Sequence, residues 1–299
     1  MVPHQSSTTE RSTLGLGGSG LAAVLWGFGG IFVALTSASG LVLTFYRLWV
    51  GAVVLVVVIL ASRRRLTWST LRATWLGGVF LAGDMAMFYC AVKLTSIVDV
   101  TVIGAFQPAL VMVVSRRLFG ERLRTWDVAL IMVAMVGAAV TVIGPGVSSH
   151  HELVGDLLAV GSMASFSTYW MVSKQARRLS GALEYTAGVT LVAAMVMTPV
   201  VIVSGESLGQ MRGRDWLWTI LLVVVPGSGH LVMNWAHRYV DASISSAISC
   251  LSPLISAVAA IPILSQPLSP LQVAGVLLGV GAIAVIAVRQ RQPLETPLE

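Results

Sequence analysis

Four ionisable side chains stand inside or at the edge of long apolar runs: Arg47, Asp84, Glu121 and His230. A charge in an apolar setting is costly, so such a residue turns toward other helices or water, or becomes neutral. Asp84 can hold an ammonium group or carry a proton; the plain alternative is a carboxyl hydrogen-bonded to a neighbouring helix. His230, in the stretch PGSGH, can donate and accept hydrogen bonds as a neutral imidazole, and it can equally be a packed histidine. Ser228 beside it makes no nucleophile, because helix residues two apart point to different faces. Arg47 can grip a carboxylate with two parallel hydrogen bonds, or form a structural pair with Asp99.

Other chemistry is poorly supported. His150, His151 and Glu152 are adjacent in a polar segment and lack a ligand spacing, which argues against a metal site. Cys90 and Cys250 are the only cysteines, both inside apolar runs, so neither a disulfide framework nor a CxxC site is available. The sequence has no GxxxxGK[ST] and no HExxH. ATP hydrolysis and enzymatic activity are therefore not expected, nor is a cofactor or metal.

The elements that must position these residues follow from composition. The chain has 299 residues, 56% apolar and only 11% charged, with a mean hydropathy of +0.85; an ordinary soluble domain is about 25% charged. Apolar runs of about 20 residues, each able to cross a hydrocarbon core of roughly 30 Å as a helix, follow one another. A barrel is excluded, since its strands are about 10 residues long and alternate in polarity. The reading is an all-α integral membrane protein with ten transmembrane helices, near 19–38, 41–62, 71–93, 97–118, 125–144, 154–174, 181–203, 215–237, 241–263 and 269–288.

The net charge of +6 sits in short clusters between the runs, which speaks for topology rather than nucleic acid. With a cytoplasmic N-terminus, the inside segments hold Arg11, Arg63, Arg64, Arg65, Arg72, Arg116, Arg117, Arg122, Arg124, Lys174, Arg177, Arg178, Arg238, Arg289 and Arg291, leaving Lys93, Arg212 and Arg214 outside. That bias places both termini in the cytoplasm. Trp68, Trp75, Trp126, Trp216 and Trp218 fall near span ends and suit the headgroup belt.

Sliding the chain by 145 residues superposes Ala91 on Ala236, Lys93 on Arg238, Pro108 on Pro253, Leu123 on Leu268, Val128 on Val273 and Ala129 on Ala274. A repeat of five spans is odd-numbered, so its second copy enters the membrane from the other side. Such inverted repeats are a transporter architecture, with the substrate site near the midplane. Pro108 and Pro253 lie at equivalent depths, each removing a backbone hydrogen bond, and Pro226 loosens span eight with Gly227 and Gly229. These three prolines are read as hinges, with a static kink as the alternative.

The stretches AFQPALVMVVSRRLFGERLRTWDVALIMVAMVGAAVTVIG (105–144) and CLSPLISAVAAIPILSQPLSPLQVAGVLLGVGAIAVIAV (250–288) resemble the ends of the two EamA repeats of the drug/metabolite transporter superfamily. The marks are a mid-helix proline, an acidic or amide residue 13 positions later, and a closing helix rich in Gly and Ala. LWGFGGIFV (25–33) and FYRLWVGAVVLV (45–56) resemble the first two helices of such a repeat. Within the superfamily the chain is most similar to the aromatic amino acid exporter branch. One departure is that the position matching Glu121 is Gln266, so the first half alone supplies that carboxylate, for which anchoring a helix end is the first expectation.

The resemblance implies two inverted five-helix repeats: a tail over 1–18, a first repeat over 19–144, a loop over 145–153, a second repeat over 154–288 and a tail over 289–299. It implies a multi-pass protein of the bacterial inner membrane, read as a monomer, that exports small molecules by alternating access. Amino acids, aromatic in the sense of Phe, Tyr and Trp, are the expected substrate; other amphipathic metabolites or cationic drugs are the alternative. An aromatic side chain needs stacking surfaces and a few polar groups. The spans around the implied cavity offer Trp26, Asp84, Phe88, Tyr89, Phe106, Gln107, Phe166, Tyr169, Trp170, His230, Asn234, Trp235 and Ser252. Ser245, Ser246 and Ser249 share the serine-rich face of span nine, which suits a hydrated path or close packing, and Gly275 with Gly279 suits internal packing.

Overall fold

The computed structural model describes residues 5–95, 97–121, 124–142, 153–177, 180–264 and 268–291. The described residues form helices and turns, with no strand. The helices are α1 (Gln5–Gly27), α2 (Gly29–Leu35), α3 (Gly40–Ala61), α4 (Trp68–Leu94), α5 (Ile97–Gly104), α6 (Gln107–Phe119), α7 (Thr125–Val142), α8 (Leu153–Ala176), α9 (Ala182–Ser204), α10 (Gly213–Ala236), α11 (Ala242–Ser249), α12 (Leu251–Leu264) and α13 (Pro270–Arg291). Counting broken helices as single elements, eight among the described residues are long and apolar enough to cross a membrane. The segment Thr125–Thr141 is apolar but shorter, and the 24-residue α8 carries Asp156, five Ser or Thr side chains and Lys174, the polarity of a helix with much of its surface inside the protein.

Three of these elements are broken in mid-course. α5 stops at Gly104 and α6 starts at Gln107; α11 stops at Ser249 and α12 starts at Leu251. In each case proline follows within three residues, and its missing N–H and bulky ring are incompatible with a bond to the carbonyl four residues back, Gly104 or Ser249. The break between α1 and α2 falls at Phe28 between Gly27 and Gly29, where glycine weakens the helix. α10, by contrast, runs through Pro226 without interruption. Gly120 and Gly205 end α6 and α9 with φ of 67° and 71°, a left-handed conformation that favours glycine.

The packing repeats when the two halves are exchanged. α4 lies against α8 and α9, as α10 lies against α1 and α3; α5 and α6 meet α8, as α11 and α12 meet α1; α3 meets α9, α6 meets α11, and α7 meets α13. The α7–α13 crossing is backbone on backbone: a Cβ added to Gly137 would come 2.5 Å from the Gly279 nitrogen, and one at Gly275 2.6 Å from the Thr141 nitrogen. The Gly275/Gly279 pair thus serves internal packing. Gly137→Leu should destabilise the protein by about 1–3 kcal/mol through overpacking; thermal unfolding in detergent checks this, and an unchanged melting temperature would refute it.

α1 begins at Gln5, well ahead of the expected start at residue 19, and α13 extends to Arg291 through residues read as tail. The Gly-rich segment before residue 19 is a docking surface: Cβ atoms at Gly15 and Gly18 would each come 2.9 Å from Tyr239 and Trp235. Residues 1–4, 143–152 and 292–299 lie outside the described residues, and with them His150, His151 and Glu152. Of the five belt tryptophans, Trp68, Trp75, Trp126 and Trp216 are exposed, whereas Trp218 turns inward, its ring stacked 5.8 Å from Phe32.

Polar contacts sort the turns into two ends. At one end Arg64 pairs with Glu184 at 2.8 Å, Glu121 with Lys174 at 3.6 Å and Arg289 with Asp127 at 3.8 Å. At the other, Ser37 donates to Asp215 through its N–H (2.7 Å) and hydroxyl (2.8 Å), Lys93 donates to the Thr36 carbonyl (2.6 Å), and Thr95 to Asp156 (2.8 Å). The arginine clusters fall at the first end.

Candidate functional site

The helix breaks meet at a cavity of about 230 Å³. α1 and α2 contribute Trp26, Gly27, Gly29 and Gly30; α3 Arg47; α4 Asp84, Met85, Phe88 and Tyr89. α5 and α6 add Val100, Thr101, Gly104, Gln107 and Pro108, and α8 adds Ala159, Ser162, Met163 and Phe166. The second half completes the wall with Pro226 and His230 of α10 and with Ser249, Cys250, Ser252, Pro253 and Ser256 at the break between α11 and α12. Both repeat prolines therefore stand on the wall, next to the carbonyls they release.

Asp84 is buried and accepts a hydrogen bond from the Ser162 hydroxyl at 2.7 Å. Arg47 is also buried and lies against the Met85 sulfur; it forms no ion pair with Asp99. The Ser249 hydroxyl stands 3.3 Å from Gln107 Oε1, joining the two broken helices across the halves. Four cavity residues keep a buried polar atom without a protein partner: Trp26 Nε1, Arg47 Nε, Gln107 Nε2 and His230 Nδ1.

Aromatic rings form one side of the site. Trp26 meets Phe166 at 5.6 Å, Trp170 at 5.8 Å and His230 at 5.1 Å between centroids, within the range of favourable ring pairs. Trp26 is seated on Gly229, the repeat-equivalent of Asp84, where an added Cβ would come 2.8 Å from its Nε1.

Five expected residues stand elsewhere. Phe106 is 52% exposed at the helix break, turned away because a residue between two helix segments loses their common face. Tyr169 and Asn234 are bonded to each other at 3.0 Å, with Asn234 also donating to Thr186 at 3.0 Å. Trp170 is fully buried behind Trp26, and Trp235 packs on Tyr239 at 5.0 Å. Ser245 and Ser246 are buried, their hydroxyls returned to backbone carbonyls three residues earlier. Conversely, Ser162 and Met163 reach the wall without having been expected; their spacing from Ala159 and Phe166, three or four residues along α8, is the signal that locates them.

Beyond the rings, toward the arginine-rich end, the interior is packed. Glu121 accepts from the Ala242 N–H (2.8 Å), the Ser243 N–H (3.1 Å) and the Ser243 hydroxyl (2.7 Å), so it caps α11 from the other half. Lys174 pairs with it and donates to the Val240 carbonyl at 2.5 Å. Burial alone would raise the Glu121 carboxyl, yet the bonds from Ser243 and Ala242 and the Lys174 charge outweigh it and hold the carboxyl below its ordinary value. His237 is buried, its ring packed 4.9 Å from Trp170. Glu121 thus anchors a helix end, and Gln266, the matching position, lies outside the described residues.

A helical bundle of membrane-spanning segments, built as two repeated halves around a buried cavity with charged and aromatic walls, is the class of a small-molecule carrier. The chain belongs to the EamA-like transporter family, which matches twice, over residues 14–143 and 153–288, and so to the drug/metabolite transporter superfamily. It is 24% identical over 282 residues to the "Uncharacterized transporter YwfM" of Bacillus subtilis (strain 168), covering 91% of this chain and 93% of that one. A solved structure described as "Crystal structure of protein" has the same fold, with a TM-score of 0.77 and 23% identity over 95% of this chain and 99% of the other. Family and relative point to a multi-pass membrane transporter rather than an enzyme, with a small-molecule substrate.

Proposed function

We propose that the protein is a secondary carrier that exports amino acids, aromatic ones foremost, by alternating access. The carrying observation is Asp84: a buried carboxylate in a cavity walled by Trp26, Phe88, Tyr89 and Phe166. A substrate ammonium has its counter-charge there, and an aromatic side chain has rings to stack on. His230, Gln107 and Ser252 supply further polar contacts in this reading. The cavity lies between the halves, at the three helix breaks, where Pro108 and Pro253 act as hinges and Pro226 lines the moving wall.

The chain crosses the membrane ten times as two inverted five-helix repeats, over 19–144 and 154–288, works as a monomer in a bacterial inner membrane, and keeps both termini in the cytoplasm. The two-ended sorting of polar contacts supports this topology, and the clustering of arginine at one end supports its orientation. Labelled tryptophan or phenylalanine in proteoliposomes should show saturable counterflow, with a lipophilic cation competing weakly. Linear, unsaturable flux, or preferential transport of the cation, would overturn the assignment.

A further inference from the structure

Arg47 is a buried charge on the cavity wall that forms no ion pair among the described residues. It lies in α3, about two turns from the end at Gly40, and is 6% exposed. Its guanidinium lies against the thioether of Met85, a weak acceptor, its Nε has no partner, and it forms no ion pair with any described residue. The neighbouring acid, Asp84, is bonded to Ser162 instead. A guanidinium buried within a membrane without acceptors is costly, and this one is on the cavity wall rather than against lipid.

We infer that Arg47 binds the α-carboxylate of the substrate, so that the cavity takes zwitterions and discriminates against the corresponding amines. The inference rests on the amino acid reading above and narrows it. Arg47 and Asp84 project from α3 and α4, which pack on each other, into one cavity, and an α-amino acid carries its ammonium and carboxylate on adjacent atoms. Inserting its head between the two side chains gives each charge a partner, and the planar guanidinium matches a carboxylate with two parallel hydrogen bonds. An amine of the same shape neutralises Asp84 but leaves Arg47 uncompensated beside a second cation. The ring then extends toward Trp26 and Phe166, away from the charged helices.

The test compares tryptophan with tryptamine as inhibitors of counterflow in the wild type, Arg47→Gln and Arg47→Lys. The wild type should favour tryptophan by about 10- to 100-fold, the range of a charged hydrogen-bonded contact. Arg47→Gln should lose that preference while tryptamine inhibits as before, and Arg47→Lys should recover part of it. Equal loss for both compounds, or an unchanged ratio in a folded variant, would show that Arg47 is structural. Thermal stabilisation by phenylacetate, set against phenethylamine, reads the same site without transport. If the wild type carries no tryptophan yet phenylacetate stabilises it in an Arg47-dependent way, the transport assignment fails and the carboxylate site stands. If phenylacetate stabilises wild type and Arg47→Gln equally, the site fails.

Discussion

Asp84→Asn is expected to weaken the apparent affinity for an aromatic amino acid roughly 10- to 150-fold while leaving the fold intact. The estimate is a hydrogen bond to a charged group, about 1.5–3 kcal/mol, converted at 1.4 kcal/mol per factor of ten. Asparagine keeps the shape of the side chain, and its Oδ1 can still accept from the Ser162 hydroxyl, which now bonds Asp84 at 2.7 Å. Removing a buried charge from a membrane helix has no stability cost of its own, so the melting temperature should hold. Counterflow at several substrate concentrations checks the prediction; an unchanged half-saturation concentration and rate in a normally expressed variant would remove Asp84 from the mechanism. The pattern across compounds differs from that of Arg47: Asp84→Asn should weaken tryptophan and tryptamine together, because both carry the ammonium, whereas Arg47→Gln should act on tryptophan alone.

Glu121→Ala should be the most destabilising single change at the arginine-rich end, by about 3–5 kcal/mol, the range for removing one partner of a buried ion pair. It leaves Lys174, with its side chain only 9% exposed, without its carboxylate, and strips the Ala242 and Ser243 donors at the start of α11 of their acceptor. Thermal unfolding in detergent measures the loss, and a change below about 1 kcal/mol, the usual range of an exposed pair, would refute the account. The same carboxyl sets a pH dependence. Its folded value lies below its ordinary one, so it contributes stability fully at neutral pH. That contribution declines as pH falls below the ordinary glutamate value and is gone below the depressed folded value. Glu121→Ala should therefore flatten the acid limb of the stability profile, and an acid limb equal to that of the wild type would show that other carboxylates govern it.

The helical membrane class was legible because it depends on composition summed over windows of about 20 residues, which survives any local misreading. The repeat was legible through Pro108 and Pro253, since a missing N–H breaks a helix wherever the helix lies. Glu121 was legible as a helix anchor because a carboxylate just past a helix has few other uses, though the helix it caps is 121 residues away in the chain. Trp26, Phe88, Tyr89 and Phe166 were identified as wall rings through the resemblance, but composition did not separate them from Phe106, Trp170 and Trp235. In a membrane protein the lipid-facing and cavity-facing sides are both apolar, so an aromatic residue carries no mark of the direction in which it points. The structural pairing of Arg47 with Asp99, the reading the sequence favours, does not form, because the sequence gives the depth of Arg47 but not its neighbours.

The sequence by itself determined the solvent, the helical class, the clustering of arginine between apolar runs and the two proline positions, all properties of one stretch of chain and the medium around it. The tertiary structure alone decided that Arg47 forms no ion pair with a described residue, that Gly229 leaves room for Trp26 where the other half has Asp84, and that Glu121 and Lys174 join the halves at one end. Each of these depends on residues tens to hundreds of positions apart coming within a few ångströms. Such distances follow from how the helices rotate and cross, and hydrophobic burial in lipid does not specify rotation; close packing of small residues and a few buried hydrogen bonds do.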